Sequence, residues 1–130
     1  MRYLLLACAG LISIGAADQP RAPRTVEAQA KLDKWLGGRV AFETKTCVPV
    51  HATANPIGID DNTMLFRDGP RIWRNDLRRT HDCGKLDKQS VVVTASTVGR
   101  MCDGDDIGIY HNGQMVGACT LGSFVLYKKP

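Results

Sequence analysis

The segment IGIYHNGQMVGA, residues 107–118, contains the strongest fold signal in the sequence. Apolar residues alternate with other residues on both sides of Asn112-Gly113, a dipeptide that favours a tight two-residue turn between antiparallel strands. Pairing across that turn sets Ile109 opposite Val116 and Ile107 opposite Ala118, and it places these four apolar residues on one face. The segment therefore predicts a β-hairpin with one buried face.

Strand and turn signals also occupy most of the preceding chain. Residues 64–67 and 71–74 flank Asp68-Gly69-Pro70, which predicts a second hairpin. Its loop is expected to have three or four residues, because Pro70 has no backbone N–H with which to close a shorter one. Val91–Thr94 (VVVT) is β-branched throughout and predicts a central strand. Strands of this number and spacing predict a mainly β fold, a small antiparallel barrel or sandwich.

One short helix is predicted before the strands. Thr25 is placed to cap its first turn, and Gly37-Gly38 is placed to end it. The apolar face of this helix consists of residues at helical spacing, with Trp35 as a core anchor: Ala28, Leu32, Trp35 and Leu36. Residues 25–130 are predicted to form a single β-rich domain with this N-terminal helix.

The N-terminus is typical of an export signal. A basic residue precedes the uncharged apolar residues 3–17, which are fewer than the roughly 20 residues that a membrane span needs. Residues 1–17 are predicted to be a signal peptide that is cleaved between Ala17 and Asp18. Gly15 and Ala17 are the small residues that a signal peptidase needs three positions and one position before Asp18. A Pro-rich spacer, residues 18–24, follows. The expected location of the mature chain is the periplasm.

A lipoprotein signal is the alternative. Leu5-Leu6-Ala7-Cys8 resembles a lipoprotein box, and lipidation of Cys8 would tether the mature chain to a membrane. The apolar run before Cys8 has only a few residues, and the residues after it stay apolar instead of forming a polar linker. Cleavage after Ala17 is therefore preferred, and no transmembrane segment is expected in the mature chain.

Four cysteines remain after the predicted cleavage: Cys47, Cys83, Cys102 and Cys119. An even number of cysteines in a short exported chain predicts two disulfides, and three pairings are open. The preferred pairing nests Cys83–Cys102, around the VVVT strand, inside Cys47–Cys119, which would tie the first strand to the last. No C-x-x-C pair is present, so neither a metal site nor a cofactor is predicted.

A basic cluster supplies the candidate binding site. Five arginines fall within thirteen positions around Trp73: Arg67, Arg71, Arg74, Arg78 and Arg79. Arg71 and Trp73 are two positions apart, so they are expected to lie on the same face of a strand. Arg78 or Arg79 is expected to join them from the following loop. Such a patch suits an anionic sugar, phosphate or peptide. Nucleic acid would fit the charge but not the exported location, and a solvated face of arginines is the competing interpretation.

Two further hypotheses concern other classes of protein. Asp103, Asp105 and Asp106 with a histidine would serve a small periplasmic hydrolase, although aspartates beside glycine are also what tight turns require. A loop presented to an enzyme's cleft would make the chain an inhibitor-like module. No catalytic residue is predicted, and the preferred reading is a binding or structural envelope module whose partner is an anionic ligand or an envelope protein.

Five short motifs lie in order around the cysteines: LGGRVA (36–41), DDNTMLFR (60–67), NDLRRTHDCGKL (75–86), GRMCDGDDI (99–107) and CTLGSF (119–124). In these motifs the chain resembles a family of small exported proteobacterial proteins to which no function is assigned. The resemblance covers most of residues 36–125. It implies an exported location and the fold class, and it implies no activity.

Overall fold

A computed structural model describes residues 23–94 and 98–130. The predicted signal peptide, with Cys8, and residues 18–22 of the predicted spacer lie outside the described residues. Of the spacer residues that are described, Arg24 binds the body of the domain, because its Nε donates to Asp60 Oδ2 (2.8 Å) and its Nη2 to Thr63 Oγ1 (2.5 Å). Within the described ranges, no helix has both the length and the apolar character needed to cross a membrane.

The predicted helix is confirmed as α1, Val26–Leu36. Thr25 caps it, since its side-chain oxygen accepts a hydrogen bond from the backbone N–H of Ala28 (3.2 Å). Ala28 and Leu32 are buried and pack with Leu65 and Ile72 from the sheet below and with Ile59 from a connecting segment. The apolar face that the sequence spacing predicts thus packs the helix against one face of a sheet.

Eleven strands in the described residues follow the helix, and the sheets they form are antiparallel. They are β1 (Val40–Lys45), β2 (Cys47–Pro49), β3 (Pro56–Gly58), β4 (Thr63–Asp68), β5 (Arg71–Asp76), β6 (Arg79–His81), β7 (Val91–Thr94), β8 (Arg100–Cys102), β9 (Asp106–His111), β10 (Gln114–Thr120) and β11 (Phe124–Lys128). Short 3-10 turns occupy Val50–Thr53 and Cys83–Lys85. The predicted mainly β, antiparallel, disulfide-linked class with one helix is confirmed.

The strands form a five-stranded sheet in the order β1-β11-β5-β4-β3, a four-stranded sheet in the order β6-β10-β9-β7, and the pair β2-β8. The main core combines buried residues of all three sheets, including Phe66 and Phe124, Ile109, and Met101. Helix α1 covers the opposite face of the five-stranded sheet. β4 and β5, inside this sheet, consequently have buried residues on both faces.

Both predicted hairpins form, and each differs from the prediction in detail. Asp68 pairs with Arg71, so the β4–β5 loop has two residues instead of three or four. Gly69 takes a positive φ of 58° at the first turn position, and the closing N–H belongs to Arg71, so Pro70 does not need one. In the β9–β10 hairpin, a bulge between Met115 and Gly117 sets Ile109 opposite Gly117.

The VVVT segment is an edge strand and not the predicted central strand. β7 pairs with β9, and among the described strands β9 is its sole ladder partner. Val91 is 60% exposed and Val93 is 47% exposed. β-Branched composition favours an extended backbone but does not distinguish an edge position from a central one.

The preferred disulfide pairing is wrong. The disulfides join Cys47 to Cys102 and Cys83 to Cys119, so the two loops interleave instead of nesting. Cys47 lies directly opposite Cys102 in the β2–β8 pair, with 4.0 Å between their Cα atoms. The bulge in β10 turns Cys119 to the buried face of the sheet, where it meets the buried Cys83.

Candidate functional site

The structure places Trp73 in the core. Its side chain is 3% exposed and belongs to the main core cluster, because it projects from an inner strand of the five-stranded sheet. Ile72, the next residue along β5, is buried on the opposite face beneath α1. The alternation that the sequence shows in β5 is real, but neither face meets solvent at these positions, so the indole is not available as the predicted surface platform.

The three arginines of the predicted binding site, Arg71, Arg78 and Arg79, lie in two separate places. Arg71 is exposed at the β4–β5 turn and forms an ion pair with Asp68 (2.8 Å). Arg78 and Arg79 line a separate cleft of about 540 Å³. The structure therefore brings Arg78 and Arg79 together and leaves Arg71 and Trp73 out of their cleft.

The cleft that contains Arg78 and Arg79 has balanced charge. Arg78 donates Nε and Nη2 to the two carboxylate oxygens of Asp103, which also accepts a hydrogen bond from Ser123 Oγ (2.8 Å). These bonds, that of Arg78 first, hold the pKa of Asp103 below its usual value. Asp106 supplies a second carboxylate to the lining, so two acidic groups offset the two arginines. An anion gains little in such a cleft.

The aspartates of the hydrolase hypothesis serve as structural acceptors. Asp105 accepts from the backbone N–H of Cys102 (2.7 Å), and Asp106 accepts from Thr120 Oγ1 (2.5 Å). The acidic neighbours of His81 and His111 are Asp82 and Asp87, respectively, and not these aspartates. Among the described residues, no group of three or more His, Cys, Asp or Glu side chains is arranged to hold a metal ion.

A different groove combines an indole with cationic side chains, as the predicted site was expected to do. It lies between α1, the edge strand β3 and the residues that follow the 3-10 turn Cys83–Lys85. Two cavities of about 350 and 340 Å³, which share most of their lining residues, form it. Trp35, half-buried at the end of α1, lines both cavities with Ile57 and Leu86. An indole and two aliphatic side chains thus supply an apolar floor.

Three cationic side chains surround this floor: Lys31, Arg67 and Lys88. All three residues are exposed, and within the described residues none of them forms an ion pair with a carboxylate. Lys31 is held at the groove by its hydrogen bond to the backbone oxygen of Gly58 (2.6 Å). Arg67 is held through its backbone N–H, which donates to the backbone oxygen of Asn55 (3.0 Å).

The single carboxylate in the lining, Asp87, is engaged by its own turn. Its Oδ1 accepts from the backbone N–H of Gln89 (2.8 Å) and from Ser90 Oγ (2.9 Å). The Gln89 bond first, and then the Ser90 bond, hold the pKa of Asp87 below its usual value, so it is charged at neutral pH. Three cations and one carboxylate leave the groove with an excess of positive charge.

The sequence contained a signal for this groove in Trp35. Its helical spacing correctly indicated packing against the core, and Trp35 does pack against the cluster beneath α1. An indole at the last turn of a short helix, however, extends beyond the face that the helix buries, and here it also lines the groove. Arg67 was part of the basic cluster, whereas Lys31 and Lys88 carried no signal of their own.

Comparisons of the chain with protein families, with curated proteins and with solved structures find no match. The resemblance in the five motifs around the cysteines therefore stays a prediction.

Proposed function

We propose that this protein is an exported, non-catalytic binding module of the cell envelope that holds an anionic ligand in the groove beside Trp35. The observation that carries the proposal is the uncompensated positive charge of Lys31, Arg67 and Lys88 around an apolar floor. Cationic side chains that have no acidic partner are free to bind an anion, and the apolar floor provides contact area for the rest of the ligand. The two disulfides are compatible with export.

The charge of the groove favours this function over binding at the cleft that contains Arg78. There, the anion would have to displace Asp103 from a two-point contact with the guanidinium group. At the groove, Arg67 and Lys88 need only exchange water for the ligand. The two places differ because Arg78 already binds a carboxylate, whereas Arg67 and Lys88 bind none among the described residues.

The proposal is tested by calorimetric titration of the mature protein with uronic-acid disaccharides, and with maltose as a neutral probe. The double variant Arg67→Ala/Lys88→Ala should weaken binding of the acidic disaccharide by about tenfold or more, which corresponds to about 1.4 kcal/mol. Binding should also weaken as salt is raised, because the cations are exposed.

The matched control is Lys34→Ala, which removes an exposed cation from α1 that does not line the groove. Arg71→Ala is a second control, since Arg71 belonged to the site predicted from sequence. Equal loss of affinity in the controls and in the groove variant, or binding that maltose matches, would show that the groove is not an anion site.

A further inference from the structure

The groove beside Trp35 does not end at β3. A third cavity, of about 340 Å³, shares Ala54, Pro56 and Ser90 with it and continues between the edge strands β3 and β7. β3 is the edge of the five-stranded sheet, and β7 is the edge of the four-stranded sheet. The gap between the two sheets is therefore an extension of the groove.

This extension differs in character from the end at Trp35. Its lining contains no charged residue among the described positions, and it includes the almost fully buried side chains of Phe66 and Met101. Val50, Val91 and Val92 supply further apolar contacts. The polar side chains among its lining residues are those of Thr53, Ser90 and Thr94.

The two parts together form one groove with a cationic end and an apolar end. A ligand with only a charged group would leave the apolar extension in contact with water, and a wholly apolar ligand would leave the cations without a partner. A molecule with an anionic head and one flexible hydrocarbon chain matches both ends. The volumes of the cavities fall in the range of roughly 300–1,000 Å³ that small-molecule sites occupy.

We propose that the ligand of this groove is a free single-chain anionic amphiphile. Its head group binds Lys31, Arg67 and Lys88, and its hydrocarbon chain lies between β3 and β7 over Phe66 and Met101. This inference rests on the proposed function, because it names the class of anion that the groove binds. It adds that the apolar extension contributes to affinity.

The test is titration of the mature protein with hexyl, octyl and decyl phosphate, each below its critical micelle concentration, and with octanol as the neutral counterpart. Each CH₂ group that is fully buried should tighten the Kd by about three- to fourfold. Octyl phosphate should bind more tightly than octanol, and this preference should be lost in the Arg67→Ala/Lys88→Ala variant and retained in Lys34→Ala.

A pair of valine variants tests the apolar extension separately. Val92→Ser introduces a hydroxyl into the lining and should reduce the gain in affinity from octyl to decyl phosphate. Val93→Ser changes the next residue of the same strand, which does not line the groove, and should leave that gain unchanged. Val50→Ser provides a second lining variant at a position that is 41% exposed, should Val92→Ser fail to fold.

The outcomes separate the two proposals. Affinity that does not depend on chain length overturns the amphiphile and leaves the anion-binding function in place. Octanol and octyl phosphate binding equally well overturns both, as does the absence of binding by both the alkyl phosphates and the acidic disaccharide. Co-sedimentation with phosphatidylglycerol vesicles without binding of alkyl phosphates would point to a lipid held in a membrane and would overturn the free ligand.

Discussion

Removal of cysteines in chosen pairs distinguishes the interleaved disulfides from a nested arrangement. The variant Cys47→Ala/Cys102→Ala removes one bridge and leaves Cys83 paired with Cys119. The variant Cys83→Ala/Cys102→Ala also removes two cysteines, but it takes one from each bridge and leaves Cys47 and Cys119 without their partners. The two variants are therefore matched in composition and differ in the number of bridges that they lose.

The expected magnitudes follow from the loop lengths. The bridges span 55 and 36 residues, and loop-closure entropy for either length stabilises the folded state by about 4 kcal/mol near room temperature. Cys47→Ala/Cys102→Ala should lower the free energy of unfolding by about 4 kcal/mol. Cys83→Ala/Cys102→Ala should lower it by up to about 8 kcal/mol, which approaches or exceeds the total stability of many domains of this size.

Two assays report the outcome. Thiol titration of the mature protein, which lacks Cys8, under non-reducing, denaturing conditions should find no free thiol in Cys47→Ala/Cys102→Ala and two in Cys83→Ala/Cys102→Ala. Urea unfolding, followed by circular dichroism, should rank the variants in the same order. A folded Cys83→Ala/Cys102→Ala protein without free thiols would mean that Cys47 bonds Cys119, and the register of β2 with β8 described here would be refuted.

Three smaller predictions concern single contacts, each measured by urea unfolding. Asn75→Ala should lower the free energy of unfolding by about 2–4 kcal/mol, because two buried 2.8 Å hydrogen bonds to the backbone of Gly122 are lost; a loss below about 1 kcal/mol would contradict their burial. Thr25→Ala should cost about 1 kcal/mol through loss of the helix cap, with lower helical circular dichroism as a check. Because Arg78 lowers the pKa of Asp103, their contact stabilises the fold above about pH 4 and is lost as pH falls through the lowered pKa. The difference between wild type and Arg78→Ala should therefore shrink as the pH falls below about 4, and a difference that does not depend on pH would exclude this ion pair as the cause.

Features that depend on neighbours in sequence were predictable. The helix Val26–Leu36 and its Thr25 cap follow from residue spacing within about three turns. The β9–β10 turn follows from Asn112-Gly113, whose positive φ angles of 51° and 76° are those that such a turn requires. Each of these structures satisfies its own backbone hydrogen bonds locally, so a short stretch of sequence contains the necessary information.

The register beyond the β9–β10 turn was not predictable, because a distant segment sets it. A Cβ atom at Gly117 would lie 2.5 Å from the backbone oxygen of Asp82, so β10 passes too close to that chain for a larger residue. The bulge beside Gly117 then reverses the faces of the residues that follow, and Cys119 becomes buried. The disulfide pairing depends on that reversal, which no property of the hairpin sequence reveals.

The candidate site shows the same division. The sequence indicated the residue types of an anion site, namely an indole and several cations. It did not show which indole meets which cations. Trp73 and Arg71 are two positions apart, but Trp73 is buried by packing between sheets, whereas Trp35 and Lys88 lie more than fifty positions apart and line one groove.

By itself, the sequence determined the class of the fold, the helix and the positions of the principal turns, since periodicity and turn chemistry act over a few residues. Only the tertiary structure decided which strands became edges, which cysteines met and which face of each strand was covered. These outcomes are set by burial of apolar area between distant segments, and that burial depends on the packing of the whole chain. The groove exists because β3 and β7 are both edges of sheets that enclose one core, and neither strand shows this in its own residues.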